Sequence, residues 1–396
     1  MKKLLIIGAS ILQLPAIKRA KELGYYVGVI DYDPNAIGIL FADQYFNVST
    51  IDIDGVVKTA EEFMPDGIMT LATDMPMRSI AAACEKLSLP GISSETAVKC
   101  TDKGEMIKAF EENHVEHPWY FILSELGELE KIVDRVSFPC ISKPTDNSGS
   151  RGVMLIRNKA ELKEAIAYSS GNGRNGGVII EEYMQGNEVS VEIMVLDGIP
   201  YVLNVTDKLT TGAPHFVEMG HNQPSMLPKK ELENIRDLAC RAVKAVGIMN
   251  GPAHVEIMLT KDGPKMVELG ARMGGDCITT HLVPLSTGID MIEATIRIAC
   301  GEKPDIEPKY CKGSAILYLE TDCGVIKEIS GVEDVMKVEG VKEISFVKKI
   351  GDTVGEIGSS TDRVGFVIAQ ADTPQEAVGI CEKVCETVRN KITVAG

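Results

Sequence analysis

The chain has 396 residues, 44% of them hydrophobic and 25% charged, and carries a formal net charge of −16. Those proportions suit a folded globular chain with ample core and room for two or three domains. The acidic balance argues against a nucleic-acid backbone or an anionic membrane as partner, and no run approaches the roughly 18 apolar residues of a membrane span.

A polyphosphate could bind only where Lys, Arg and backbone N–H groups are locally concentrated. The ten cysteines include no Cys-x-x-Cys pair and read as reduced thiols. Cys381 and Cys385 fall one turn apart on a predicted helix, a spacing that suits core packing. Met1 to Ile7 is too short for the apolar core of a signal peptide, so the expectation is a cytoplasmic protein.

Residues 3 to 31 predict strand, helix, strand: Leu4-Leu5-Ile6-Ile7 is a buried run, Leu14 to Leu23 has helical spacing, and Tyr26 to Ile30 is a second run ending at Asp31. That pattern opens a parallel sheet. A dinucleotide fingerprint would need glycines where Ser10 and Gln13 stand, so Asp31 alone does not carry a nicotinamide-cofactor site. Val56 to Phe63 and Met77 to Leu87 predict helices around a strand from Gly67 to Leu71, and the first domain closes near residues 95 to 100.

A helix is predicted from Asp102-Lys103 towards Pro118, followed by short strands and Gly-rich loops from Tyr120 to Val205. Lys143 ends an apolar strand, where it can aim a point charge at phosphate oxygens. The loop Asp146 to Val153, with Ser148, Gly149 and Ser150, could form an anion nest, although such clusters are usually plain turns and the Walker pattern is absent. Val178 to Met184 is an apolar strand running into Glu181-Glu182-Tyr183-Met184, and Glu188 to Ile193 alternates with period two. A strand-to-hinge junction of that kind suits a purine; the competing reading is an ordinary hairpin with solvated glutamates. Thr206 to Pro224 reads as a long irregular segment whose Lys208, His215, Glu218 and His221 are placed for substrate contact. Lys230 to Val246 and Gly288 to Cys300 predict helices, and the last 90 residues predict strands closed by a helix from Pro374 to Val388.

Between those helices lies Gly251 to Asp276. It predicts strands His254 to Thr260 and Pro264 to Leu269, joined by a three-residue loop, Lys261-Asp262-Gly263. Pairing Thr260 with Pro264 sets Glu256 opposite Glu268. Opposed side chains lie about 5 Å apart at Cβ, and like charges there repel. Two facing acids on apolar strands call for a cation, and Mg²⁺ with phosphates and water suits one or two carboxylates. The bland alternative is a surface hairpin with solvated acids.

The order Lys103, Lys143, Gly/Ser loop, Glu181 to Met184, Glu188, Glu256, Glu268, Arg272 resembles the ATP-grasp superfamily over most of the chain. The preceding β-α-β domain is similar to that of biotin carboxylase and of the ATPase subunit that makes carboxyaminoimidazole ribonucleotide. Glu268-Leu-Gly-Ala-Arg272 and Glu218-Met-Gly-His221-Asn-Gln-Pro224 look most like the L-amino-acid (dipeptide) ligases. The implied fold is mixed α/β and α+β. It comprises a parallel-sheet pre-ATP-grasp domain at 1–100, an ATP-grasp domain at 101–305 with a lid at about 118–186, and a mostly β C-terminal α+β domain at 306–396.

By the same resemblance, Lys103 and Lys143 contact phosphates, the loop with Ser148, Gly149 and Ser150 closes over them, and Glu181, Glu182, Tyr183 and Met184 meet the adenine. Glu188 meets the ribose, Glu256 and Glu268 hold one or two Mg²⁺ ions (or Mn²⁺), and Arg272 with His215 or His221 serves the reacting groups. The implied activity is ATP-dependent ligation of a carboxylate to an amine through an acylphosphate, by a homodimer. Alternatives are a carboxylase of the carboxyaminoimidazole ribonucleotide type, a small-molecule kinase and a non-catalytic nucleotide sensor. One departure stands out: family members often carry Asn as a further metal ligand where this chain has Gly270.

Overall fold

The computed structural model describes residues 1–395 except 148, 150 and 214. The opening apolar run becomes the strand Lys3–Ile7, with Leu4, Leu5, Ile6 and Ile7 fully buried. It lies parallel between Tyr26–Asp31 and Gly67–Met69, with Gln44–Asn47 at the outer edge. Helices Leu14–Glu22 and Ile53–Phe63 connect these strands and Met77–Leu87 follows the last of them; Asp52 caps the second helix by accepting from the Gly55 N–H.

The loop after the first strand is filled from within. Gln13 donates to the Leu71 carbonyl at 2.7 Å, and a Cβ on Gly8 would lie 2.8 Å from its side chain. Asp31 turns inward to accept from the Ala9 N–H at 2.7 Å. Gln13, at a position where a dinucleotide fingerprint would carry glycine, thus packs against Gly8 inside the loop.

An eight-stranded sheet forms the centre, in the order Gly263–Gly270, Gly251–Thr260, Gly186–Leu196, Ile199–Thr210, Glu218–Gln223, Gly313–Tyr318, Gly365–Ala371, Val341–Phe346. Helix Lys229–Val246 buries one stripe (Ile235, Leu238, Ala239, Ala242, Val243, Val246) in the same core as Val191, Ile193, Val255 and Ile257. The segment 206–224, expected to be irregular, is mostly paired strand: Asp207 faces Asn222 and Lys208 faces His221. Its polar residues bond one another, with Asn222 donating to Asp207 at 2.9 Å and Gln223 to Thr206 at 2.8 Å. Burial of polar side chains inverted the pattern that marks a strand.

A second, four-stranded sheet (Tyr120–Leu123, Val178–Glu182, Cys140–Pro144, Met154–Ile156) packs with helix Leu162–Asn172 around a core of its own. In the last part of the chain, helix Pro374–Arg389 carries a capping box between Thr373 and Glu376. It buries Cys381 and part of Cys385 against the end of the central sheet, the packing role that their spacing suggested.

Candidate active site

Glu256 stands opposite Glu268, but by a different route from the expected one. The turn has two residues, Lys261-Asp262, and Thr260 pairs with Gly263 and Leu259 with Pro264. A register shift between Glu256 and Ile257 then leaves Val267 unpaired and brings the acids face to face. Both line a cleft of about 830 Å³ between the central sheet and the smaller four-stranded sheet, within the usual range for small-molecule sites.

Three lysines stand along this cleft, each against a carboxylate. Asp102 caps helix Lys103–Glu112, which fixes Lys103 at its first position. Lys103 then reaches Glu268 at 2.9 Å and donates to the Asn147 carbonyl at 2.7 Å, tying the hairpin to the loop after Lys143. Burial alone would lower the Lys103 ammonium, but Glu268 reverses the sign and raises it. Lys143, at the end of Cys140–Pro144, pairs with Glu181 at 2.6 Å, and both side chains are almost fully buried. Lys208 lies 2.5 Å from Glu188, 3.5 Å from Glu218 and 3.4 Å from Glu256. Despite burial it is held well above its ordinary value, by Glu256 first. One cation shared among three acids cannot serve each fully: burial pushes the Glu188 carboxyl up, and Lys208 only partly offsets this.

Ile141, Val153, Met184, Leu227, Met258 and Val267 supply apolar wall to the cleft. Glu182 pairs with Lys265 at 2.8 Å, and the Tyr183 ring lies 6.3 Å from that of Phe216. Gly149 and Arg151 line the cleft on the loop side. Ser148 and Ser150, expected in the same loop, lie outside the described residues.

Arg272 holds Asp74 with both arms of its fork, Nε to Oδ1 at 3.0 Å and Nη2 to Oδ2 at 3.1 Å. Gly270 makes room for this pair, because a Cβ there would stand 2.6 Å from the Asp74 Oδ1. The position that offers no ligand side chain therefore admits a carboxylate from the N-terminal sheet's loops. Behind Glu256, His254 places Nε2 3.3 Å from its Oε1 and Nδ1 2.9 Å from Glu192. Burial alone would lower the imidazole, but Glu192 raises it to about 9. Burial likewise would raise Glu256, but Lys208 and then His254 hold it well below the usual carboxylate range.

The two histidines part company. His215 is exposed on the turn between its strands and is not brought to the cleft wall. His221 is buried in Glu218–Gln223, with Nε2 3.5 Å from Asp276 and no partner for Nδ1 among the described residues. Asp276 itself has a left-handed φ of 49° and receives both arms of Arg363 at 2.8 and 2.9 Å. The Arg363 guanidinium lies 3.6 Å from the centre of the Tyr318 ring, a cation–π contact.

Burial pushes the Asp276 carboxyl up, but His221 and Arg363 override it and hold the group far below its ordinary range. A depressed carboxyl contributes stability above its unfolded value, about 3.9, and loses it as pH falls towards the folded one. D276N is therefore expected to melt lower than wild type at neutral pH, by on the order of 2 kcal/mol, with the gap closing below about pH 4. Thermal melts across that range check this, and a constant gap would contradict it.

The donor set can be tested against a metal. Glu256 and Glu268 face each other, Gly270 adds nothing, and among the described residues no group of three or more His, Cys, Asp or Glu could hold an ion alone. Two carboxylates are what Mg²⁺ accepts when phosphates and waters complete its shell. The site fits a phosphate-borne ion rather than a metal cage made by protein alone.

Several of these residues lacked a clear sequence signal. His254 and Glu192 lie at period-two positions from Glu256 and Glu188, so strand alternation could have placed them on the same faces. Asp74 and Arg363 meet partners 198 and 87 residues away, and no local pattern announces such pairs.

Comparison with known proteins agrees with this architecture. An ATP-grasp domain profile matches residues 136–280 and an L-amino acid ligase C-terminal domain 2 profile matches 317–393. The alanine–anticapsin ligase of Bacillus subtilis (strain 168) is 25% identical over 323 residues, covering 75% of this chain and 67% of that protein. Human (Homo sapiens) carnosine synthase 1 is 22% identical over 334 residues, 76% of this chain, which spans only 40% of that longer protein. The crystal structure of the L-amino acid ligase from Bacillus licheniformis superposes with a TM-score of 0.83 at 24% identity, covering 100% of this chain and 98% of the other. Along the chain, then, a segment matching an ATP-grasp domain is followed by one matching an L-amino acid ligase C-terminal domain.

Proposed function

We propose that the chain is an ATP-dependent carboxylate–amine ligase that activates an amino-acid carboxylate and joins it to an amine, releasing ADP and phosphate. The observation that carries this reading is the division of space at the acidic hairpin. The large cleft and a small cavity of about 40 Å³ share Lys103, Asn147, Glu256 and Glu268. Asp74, Arg174 and Arg272 lie on the small side. A nucleotide in the cleft would thus present its terminal phosphate between the two acids to a carboxylate near Arg272.

In this reading the apolar wall of the cleft, with Glu181, Glu182, Tyr183 and Met184, takes the adenine, and Glu188 accepts from ribose hydroxyls. Lys103 and Lys143 neutralise phosphate oxygens. Glu256 and Glu268 would hold Mg²⁺, or Mn²⁺ with the same hard-oxygen preference, which would supply charge offset for the transferring phosphoryl group. A carboxylate oxygen attacks the γ-phosphorus as the bond to the ADP oxygen breaks. The amine then attacks the acyl carbon and expels phosphate. The chain's own work is to position and to offset charge. Arg272 matches the planar oxygens of the acyl group. The division at residues 100 and 305 with a lid at about 118–186, a homodimer and a cytoplasmic location belong to the same reading.

A kinase would use the same nucleotide site, so the products decide. With ATP, a panel of amino acids and hydroxylamine, the expected outcome is an acyl hydroxamate formed in step with ADP. A stable phosphorylated hydroxyl product would establish the kinase instead. Silence over a wide panel, with ADP bound, would favour a sensor.

A further inference from the structure

Behind the paired acids runs a buried chain of side chains that the reaction above does not use. Glu192 is fully buried, accepts from the Ser190 hydroxyl at 3.0 Å, and has its two carboxylate oxygens 2.9 and 3.0 Å from the His254 Nδ1. The two residues are direct cross-strand partners, so their side chains share one face of the sheet. From the other side of the ring, Nε2 meets Glu256 at Oε1, the same oxygen that Lys208 approaches at 3.4 Å.

Packing does not explain this arrangement. A carboxylate removed from water costs several kcal/mol unless its partners are good, and a hydrophobic side chain would fill the same space without that cost. Gly274 shows how closely the pair is seated. Its φ lies outside the left-handed region, so the backbone does not require glycine. A Cβ there would come within 2.6 Å of the His254 Nδ1 and 3.1 Å of the Glu192 Oε2. Three positions on three segments are thus fitted to one histidine ring.

We propose that His254, braced by Glu192, is a positioning residue for Glu256, fixing the carboxylate at Oε1 and leaving Oε2 turned towards the cation and phosphate. This rests on the nucleotide-site reading given above. Carboxylates that ligate a metal depend on outer partners for orientation, and loss of such a partner costs about 10–100-fold in metal affinity.

The test is calorimetric titration of ADP into the full-length protein, with and without MgCl₂. The readout is the dissociation constant without MgCl₂ divided by that with it, which requires no turnover. In H254Q and E192Q that ratio is expected to fall by about tenfold or more, while metal-free ADP binding stays at the wild-type level. A merely structural role would instead weaken both affinities together. E192Q retains the imidazole and serves if H254Q does not fold. Wild-type ratios in the variants would overturn the proposal and leave the nucleotide site standing. A wild-type protein whose ADP affinity ignores Mg²⁺ would overturn both.

Discussion

Glu268→Gln is expected to abolish measurable ligation while leaving nucleotide binding detectable. The amide keeps the side chain's size and can still accept from Lys103, which lies 2.9 Å from the carboxylate. What it removes is the charge that faces Glu256 across the hairpin. Charge offset at a transferring phosphoryl group supplies several kcal/mol, and a loss of about 4 kcal/mol corresponds to roughly 10³ in kcat. ADP release under saturating substrates, with ADP titration of the same preparation, checks both halves. Near-normal turnover would remove Glu268 from the metal site.

The second large effect is expected at Arg272. Arg272→Lys keeps the positive charge but cannot hold Asp74 by two parallel bonds and present donors to a substrate as well. Loss of one fixed donor at a site of developing charge costs about 10²–10³ in kcat. The fall should appear in kcat more than in the affinity for ADP, because Arg272 lines the small cavity and not the nucleotide cleft. Arg272→Ala should be at least as inactive, and should also melt lower because the half-buried Asp74 loses its partner. Ligation by Arg272→Lys at more than half the wild-type rate would show that the fork is not used.

The paired acids were legible in the sequence because strand side chains alternate with a period of two, so a register count decides which residues face each other. That count reached the right pair through the wrong turn, since the glycine belongs to the strand and the extra residue sits at Val267. The strands of 206–224 were not legible, because Asn222 bonds Asp207 and the buried Gln223 bonds Thr206, which leaves no apolar alternation to read. The parallel sheet at the N-terminus was legible from its uninterrupted apolar runs, which burial on both faces requires. The ion pairs that join distant segments, Asp74 with Arg272 and Asp276 with Arg363, belong to the folded topology alone.

The unpaired Val267 has a practical consequence for anyone who would engineer this protein. It separates the phase of the hairpin tip from the phase of the reacting end, much as a spacer separates two reading frames. Residues added beyond it, at Lys261-Asp262, lengthen a solvent-facing tip and leave Glu268 and Arg272 where they are, so the tip is the natural seat for a tag or a reporter. Removal of Val267 itself would leave Glu256 opposite Glu268 in a regular ladder, so its effect would fall on the local bend and twist of the strand. A single apolar residue with no chemistry of its own thereby sets how the strand bends as it enters the site.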